Sequence, residues 1–532
     1  MLGSRPALPG FPRMTHGSSS GQSSAWPMPT FGCWPAGEYE HHTVVVGAGI
    51  GGLSAAATLA ARGLKVLVVE AHDRPGGYCS SWLRKVRGRD GSVGRYVFDA
   101  GVQDFSGLGP RGPLRRLLDG LGVAQRMDWR RVRHRYVQDG LCLDVPDQPA
   151  DLVTRLQSLF PQEAPGIAAF FAEMERVYTD LYADVDETGG VPMPPATLEA
   201  MRSWAVRRPD AWRWMHRPYA EMLDTHLRDP RLKALLTTIS EYLTDRPELL
   251  PVREMAPLFG YYLEGGWYPA GGSRRLAELL CAVVRERGGA VLLRTRAERI
   301  LTEDGRAVGI ATADGTVHRA PLVLANSDVV GTLTRLVDPA LLPRRYAQRV
   351  KGLKRGPTAV LVSLAVEGVP DLPARVFVGA DGLHFGIGNP SAVDASLAPE
   401  GHAAVTMLCL RPEPEAAEWF AADKAANRQR KEAFADRLVA AAESVLPGLR
   451  GRILYRQTAS PTTFTRYALA DNGAIYGAAR GQWCPPNKTP LPGLMLVGAG
   501  CQSGPGVEAV VISGMSAANL ATGFPAEAKA AE

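Results

Sequence analysis

The chain has 532 residues, a formal net charge of +6, and 45% hydrophobic and 21% charged residues. This is too long for one small core, which sets an expectation of roughly three domain-sized units, and the charge is too mild to point to nucleic acid. No apolar run reaches the roughly 18 residues of a membrane-spanning helix. The seven cysteines form no C-x-x-C pair and the ten histidines show no H-E-x-x-H spacing, which argues against a disulfide scaffold or a metal site and fits a reducing cytosol.

Residues 1–41, rich in Gly, Ser and Pro, read as a disordered tail. Thr43–Val46 predicts a buried strand, followed by a glycine loop, an alanine-rich helix over Leu53–Arg62 and a second strand over Lys65–Glu70. Residues 111–135 and 151–255 read as mostly helical. Arg275–Arg287 predicts a long helix. Ala290–Asn326 alternates as strands, with turns at Glu303-Asp304-Gly305 and Asp314-Gly315. Residues 357–410 again read as strands, Lys424–Val445 as a surface helix, and Leu494–Val497 as a strand leading through a second glycine loop into a helix over Val507–Leu520. The tail from 523 to 532 is Ala- and Lys-rich.

Gly47-Ala-Gly49-Ile50-Gly51-Gly52 is a G-x-G-x-x-G loop between a strand and a helix. Its first glycine allows the tight turn, the second lets backbone N–H groups approach a pyrophosphate, and the last lets helix and sheet pack closely. The helix N-terminus adds free N–H groups and a partial positive charge. Glu70 ends the second strand about 20 residues on, where an acid accepts ribose hydroxyls. FAD rather than NAD is favoured by Arg74-Pro-Gly76-Gly77, which would bring a second backbone segment and a guanidinium to the pyrophosphate. It is favoured again by Phe98-Asp99-Ala100-Gly101, and by the distant Gly498-Ala499-Gly500 and Gly504-Pro-Gly506-Val507, whose helix could aim its dipole at the flavin pyrimidine edge.

With these motifs the chain resembles the phytoene desaturase-related flavoproteins, and within them the carotenoid isomerase and retinol saturase branch. Further matching segments are Gly265–Gly272, Gly305–Gly309, Asn326-Ser-Asp328, Asp394–His402 and Thr489–Gly514. The resemblance implies an α/β fold: a discontinuous Rossmann-like FAD-binding domain (42–110, 266–330 and 485–522) with an inserted α+β substrate domain (111–265 and 331–484). It also implies that adenine is met by backbone around Ala297. Related flavoproteins often carry an acid where Ala499 stands, so that ribityl contact is not expected here. The candidate cofactor-binding residues are Gly47, Gly49, Ile50, Gly51, Gly52, Glu70, Ala71, Arg74, Gly76 and Gly77, then Ala297, and then Gly498, Ala499, Gly506 and Val507.

A flavin moves hydride while the protein positions substrate and excludes water. No Ser-His-Asp, Cys-His or paired-carboxylate arrangement is evident, so no catalytic side chain is assigned. This is what an apolar polyene predicts. Tyr262, Trp267 and Tyr268, with Tyr261, are the candidates for lining its channel, against the alternative of aromatic core packing. The function expected is an FAD-dependent oxidoreductase that desaturates, saturates or isomerises a carotenoid- or retinoid-like polyene. An amine-oxidase-like enzyme with a polar substrate, or a flavin-free prenyl-protein binding module, are the alternatives. The location expected is cytoplasmic, with two arginine-rich segments, 111–135 and 202–217, as candidate contacts to a membrane surface. Both segments read equally well as solvated faces.

Overall fold

A computed structural model describes residues 39–192 and 197–524. The tails assigned to 1–41 and 523–532 lie almost wholly outside those residues. Thr43–Val46 (β1) is a β-branched run buried throughout. It is flanked in parallel by Val66–Val69 (β2), and the sheet continues through Ala290–Leu292 (β3), Leu322–Ala325 (β4) and Leu494–Leu496 (β5). The order is β5-β4-β1-β2-β3, with every pairing parallel. Strands buried on both faces need no polar alternation, which is why these runs are continuously apolar.

The alternation in β1 divides two cores. Val45 packs on one face with the helices Ile50–Ala61 (α1), Arg274–Glu286 (α2) and Val507–Thr522 (α3). Val44 and Val46 face the other side, where Ile300 and Ile310 of a three-stranded antiparallel sheet cover them. α1 and α3 touch through small residues: a Cβ on Gly514 would lie 2.3 Å from Gly51 O and 2.8 Å from Ser54 Cβ. α1 begins at Ile50 rather than Leu53, so two glycines of the fingerprint are its first turn.

A second body is built on a seven-stranded mixed sheet, ordered Ile453–Ala459, Thr358–Glu367, His402–Arg411, Leu383–Gly388, Arg375–Ala380, His134–Gln138, Leu141–Asp144. Helix Lys424–Ala442 packs on one part of it. Helices between Pro149 and Leu263 pack on another, where Phe170, Trp214 and Phe259 meet Tyr136 and Phe377. Residues 111–135 correct the helical expectation. Only Pro113–Gly120 is an α-helix, whereas Trp129–Val132 pairs antiparallel with Gly266–Pro269 and His134 opens a strand of the large sheet. Val132, His134 and Tyr136 are buried while Arg131, Arg133 and Arg135 between them are not. That period of two is the strand signature, present in the sequence beneath its arginines.

Gly514→Val should overpack the α1–α3 contact and cost roughly 1–3 kcal/mol. The check is a lowered thermal unfolding midpoint beside Leu520→Ala, an exposed control on the same helix expected to stay within about 0.5 kcal/mol of the parent.

Candidate active site

The ends of β1, β4 and β5 bring three segments together. Gly47 N–H donates to Val69 O at 2.8 Å, and Gly47 takes a φ of +95°, which only glycine adopts without strain. The Glu70 carboxylate accepts from Ala48 N–H at 2.7 Å and from His72 N–H at 2.8 Å, so it braces the turn from the end of β2. Gly76 N–H donates to Ala48 O at 2.7 Å, which lays the Arg74–Gly77 turn along the glycine loop. Arg74 itself is held by Asp73 Oδ1 at 3.0 Å and Ser81 O at 3.2 Å.

Asn326, directly after β4, fills the space between the two glycine-to-helix junctions. A Cβ on Gly49 would come within 2.7 Å of Asn326 Nδ2, and one on Gly498 within 2.5 Å of Asn326 Oδ1. A Cβ on Gly51 would be 3.1 Å from Gly498 Cα, so segments some 450 residues apart lie in contact. α1 and α3 both begin on a glycine, Gly49 and Gly506, and neither has a side chain capping its first N–H groups. A Cβ on Gly506 would meet nothing within 4 Å. Both helix starts open into one cavity of about 1540 Å³, larger than the roughly 300–1,000 Å³ of a single small-molecule pocket.

Every residue of the candidate cofactor set except Gly52 lines this cavity. Gly52 lies behind it, where a Cβ would be 2.4 Å from Gly47 O, in keeping with its role in helix–strand packing. At position 499 the side chain facing the cavity wall is a methyl group. Two open helix starts, a glycine-walled trough and the buried, unpartnered hydroxyl of Tyr78 in the same wall fit a diphosphate-bearing cofactor.

The aromatic candidates require correction. Tyr262, Trp267 and Tyr268 do not line the cavity. The Tyr262 hydroxyl bonds that of Tyr136 at 2.8 Å within the helical core. Tyr268 donates to Asp99 Oδ2 at 2.5 Å, joining Ser81 and Ser273 on that buried carboxylate. Trp267 exchanges backbone hydrogen bonds with Phe105 and takes the Arg131 guanidinium on its ring at 5.3 Å. Aromatic packing won at all three. Their neighbour Tyr261 does line the cavity, stacked on Tyr242 at 5.0 Å.

Several lining groups went unassigned in the sequence. Asp104 Oδ2 meets His134 Nε2 at 2.8 Å and the Tyr242 hydroxyl at 2.6 Å. Burial alone would raise the Asp104 pKa, but the His134 hydrogen bond and the charges of His134 and Arg375 outweigh it and hold the carboxyl below its usual range. Glu508, in the first turn of α3, accepts from Ser106 Oγ at 2.6 Å and from the Tyr182 hydroxyl. Here burial wins over both hydrogen bonds and pushes the carboxyl up to about 7. Glu508 is the single acid in an otherwise apolar helix start, a signal legible in the sequence.

A model of the family "Flavin containing amine oxidoreductase" matches residues 50–522. The chain is 25% identical over 509 residues to prolycopene isomerase 1, chloroplastic, of an Oncidium hybrid cultivar, covering 90% of this chain and 83% of that one. It is 27% identical over 487 residues to all-trans-retinol 13,14-reductase of Danio rerio (82% and 77% covered). It is 25% identical over 512 residues to phytoene desaturase (lycopene-forming) of Pseudescherichia vulneris (90% and 98% covered). Among solved structures, an oxidoreductase from Methanosarcina mazei superposes with a TM-score of 0.63 at 22% identity, covering 89% of this chain and 99% of that one, which shows the fold.

Because the folded pKa of Glu508 lies above its ordinary value of 4.5, its protonated form stabilises the fold most below pH 4.5. That contribution is lost as pH rises to about 7. Glu508→Gln should therefore gain on the parent with rising pH, by an amount on the order of 3 kcal/mol across that window. Thermal midpoints of both proteins at acidic and mildly alkaline pH measure it.

Proposed function

Since the chain belongs to the flavin-containing amine oxidoreductase family and is an FAD-dependent oxidoreductase, we propose that its substrate is a hydrophobic polyene of carotenoid or retinoid type, altered by desaturation, saturation or isomerisation. The observation that carries this reading is the single cavity. It starts at two uncapped helix N-termini and runs on past Leu243, Leu258, Leu361, Leu408 and Phe464, an apolar wall a diphosphate has no use for. The names of the relatives, which act on carotenoids and retinol, support the same substrate class. With FAD established for the chain, the flavin-free binding module falls away.

In this reading the N–H groups at the start of α1 would hold the diphosphate, and the Glu70 carboxylate, which lines the cavity, would accept from the ribose hydroxyls. Backbone at Arg296 and Ala297 flanks the adenine. The start of α3, beginning at Gly506 and Val507, offers its positive end to the flavin pyrimidine edge. When bound, the flavin supplies hydride transfer. The side chains of the chamber seat the conjugated chain and keep water out. No described side chain is assigned as its acid or base.

A lipid-dissolved substrate needs a route in. We propose that the cavity mouth meets a membrane surface through helices Leu198–Arg207 and Pro209–Trp214. Leu198, Val206 and Trp212 are exposed there, at 67%, 82% and 47%, and Met201, Trp204, Trp212 and Met215 line the cavity. Arg202 and Arg207 lie on the same helix. In segment 111–135, Arg115, Arg116, Arg126, Arg130, Arg133 and Arg135 are each paired with a carboxylate, so the exposed apolar side chains of 198–212 favour that segment for the contact. No helix among the described residues is long and apolar enough to cross a membrane.

The purified protein should be yellow and should convert at least one carotenoid or retinoid when supplied under aerobic or anaerobic reducing conditions, with products identified by chromatography. A flavin-loaded protein inert toward both classes would overturn the substrate reading. Co-sedimentation with anionic liposomes at low salt should fall at least severalfold in a Val206→Ser, Trp212→Ala double variant, since both lost side chains are exposed apolar anchors.

A further inference from the structure

The start of α3 carries a carboxyl that hydride transfer alone leaves idle. Glu508, in the first turn of the helix, lines the cavity together with Ser106, Tyr182 and Tyr261. It is only 7% exposed. Ser106 Oγ donates to its Oε2 at 2.6 Å, and the Tyr182 hydroxyl donates to its Oε1. A Cβ on Gly107 would lie 3.0 Å from its carboxyl carbon, so the loop after Asp104 closes on it from one side. The helix ending at Tyr182 closes on it from another. Tyr261 reaches Ser106 from helix Val252–Leu263, and Tyr178 stacks on Tyr182 at 4.6 Å. The other carboxyl that acts on Glu508 is Glu264, a like charge. No described lysine, arginine or histidine pairs with Glu508. Arg480 of the same wall is held by Glu254 at 2.7 Å, and Arg375 by Tyr242 at 3.2 Å. The positive end of α3 is what compensates its charge.

That helix end also faces the flavin pyrimidine edge in the reading above, and arrival of a hydride adds a negative charge there. One partial positive charge then serves two anions. Unit charges about 6–8 Å apart, at an effective dielectric of about 20, change each other's proton affinity on the order of thirtyfold to a hundredfold. We infer that Glu508 takes up a proton as the flavin is reduced and releases it on reoxidation, so that the start of α3 bears one negative charge at a time. This deepens the proposed function and rests on its placement of the flavin at α3. The balance closes for desaturation. One C–H bond of the substrate gives hydride to the flavin, the C–H bond on the neighbouring carbon gives a proton, and a C=C bond forms. The proton ends on Glu508, handed on by the hydroxyls that bond it. The carboxylate loses the charge that the flavin gains. Saturation runs the same exchange backwards. Burial has already pushed the carboxyl up to about 7, so this further push falls where it changes the protonation state.

The flavin midpoint potential, measured spectroelectrochemically without substrate on the FAD-loaded parent and Glu508→Gln, tests the exchange. Above pH 7, where Glu508 is ionised beside oxidised flavin, the parent should take up one proton more per electron pair than the variant. At lower pH both should take up the same number, and their potentials should converge. In an infrared difference spectrum at mildly alkaline pH, the C=O stretch of a protonated carboxyl should appear on reduction of the parent and be missing from the variant. Tyr182→Phe removes a donor to the carboxylate, so it should move the extra proton uptake to higher pH. It carries the test if Glu508→Gln binds no flavin. A Glu508→Gln potential raised equally at every pH, with equal proton counts, would show a carboxylate that stays ionised, and would overturn the inference while leaving the flavin at α3. Identical potentials at every pH would remove the flavin from α3 and overturn both.

Discussion

The architecture depends on the crowding around Asn326. Three strand ends of one parallel sheet deliver two glycine loops to opposite sides of this side chain, and the gaps are so small that Gly49, Gly51 and Gly498 have no room for a Cβ. The loops therefore hold each other open. Each helix start is kept free of its own capping side chain because a glycine occupies the capping position. The unused hydrogen-bonding capacity of both helices is directed into a shared chamber. Close packing, which elsewhere in a protein only stabilises, here fixes where two partial positive charges sit relative to one another.

Inside that chamber burial and pairing compete, and they come out differently at neighbouring carboxyls. Asp104 is surrounded by donors and a guanidinium and stays acidic. Glu508 has two hydroxyl donors and a favourable helix end, yet no full positive charge beside it, and desolvation prevails. One wall of the chamber is thus strongly polarised, while another holds a carboxyl whose pKa is raised to about 7. Arg375 survives complete burial because Tyr242 and Asp104 outweigh the loss of hydration.

The parts legible in the sequence were those governed by local backbone need. The glycine loops, the strands flanking them and Glu70 announce themselves because few residues tolerate those positions and the spacing is short. The turn at Asp304-Gly305 was equally plain, and both residues adopt positive φ there. The parts that were not legible depend on who meets whom across the fold. Tyr261 and Tyr262 are adjacent and chemically alike, yet one faces the cavity and the other is tied to Tyr136, a choice made by helix rotation against the core. Arg375 and Asp104 lie 271 positions apart and come together only once two strands pair in parallel. Arginine density hid the two-residue period of 131–136, because the charged members of the alternation were read before the buried ones.

The pairing of β5 on β4 has a consequence for how the molecule is made. When β4 leaves the ribosome, the chain that will shield its outer edge has not been translated, and the whole seven-stranded sheet but for two strands intervenes. Until Leu494–Leu496 docks, a nascent polypeptide displays an unpaired, wholly apolar ribbon of the kind that templates aggregation. Biosynthesis thus passes through an interval in which that edge is open to pairing with other chains, a hazard the finished protein no longer carries.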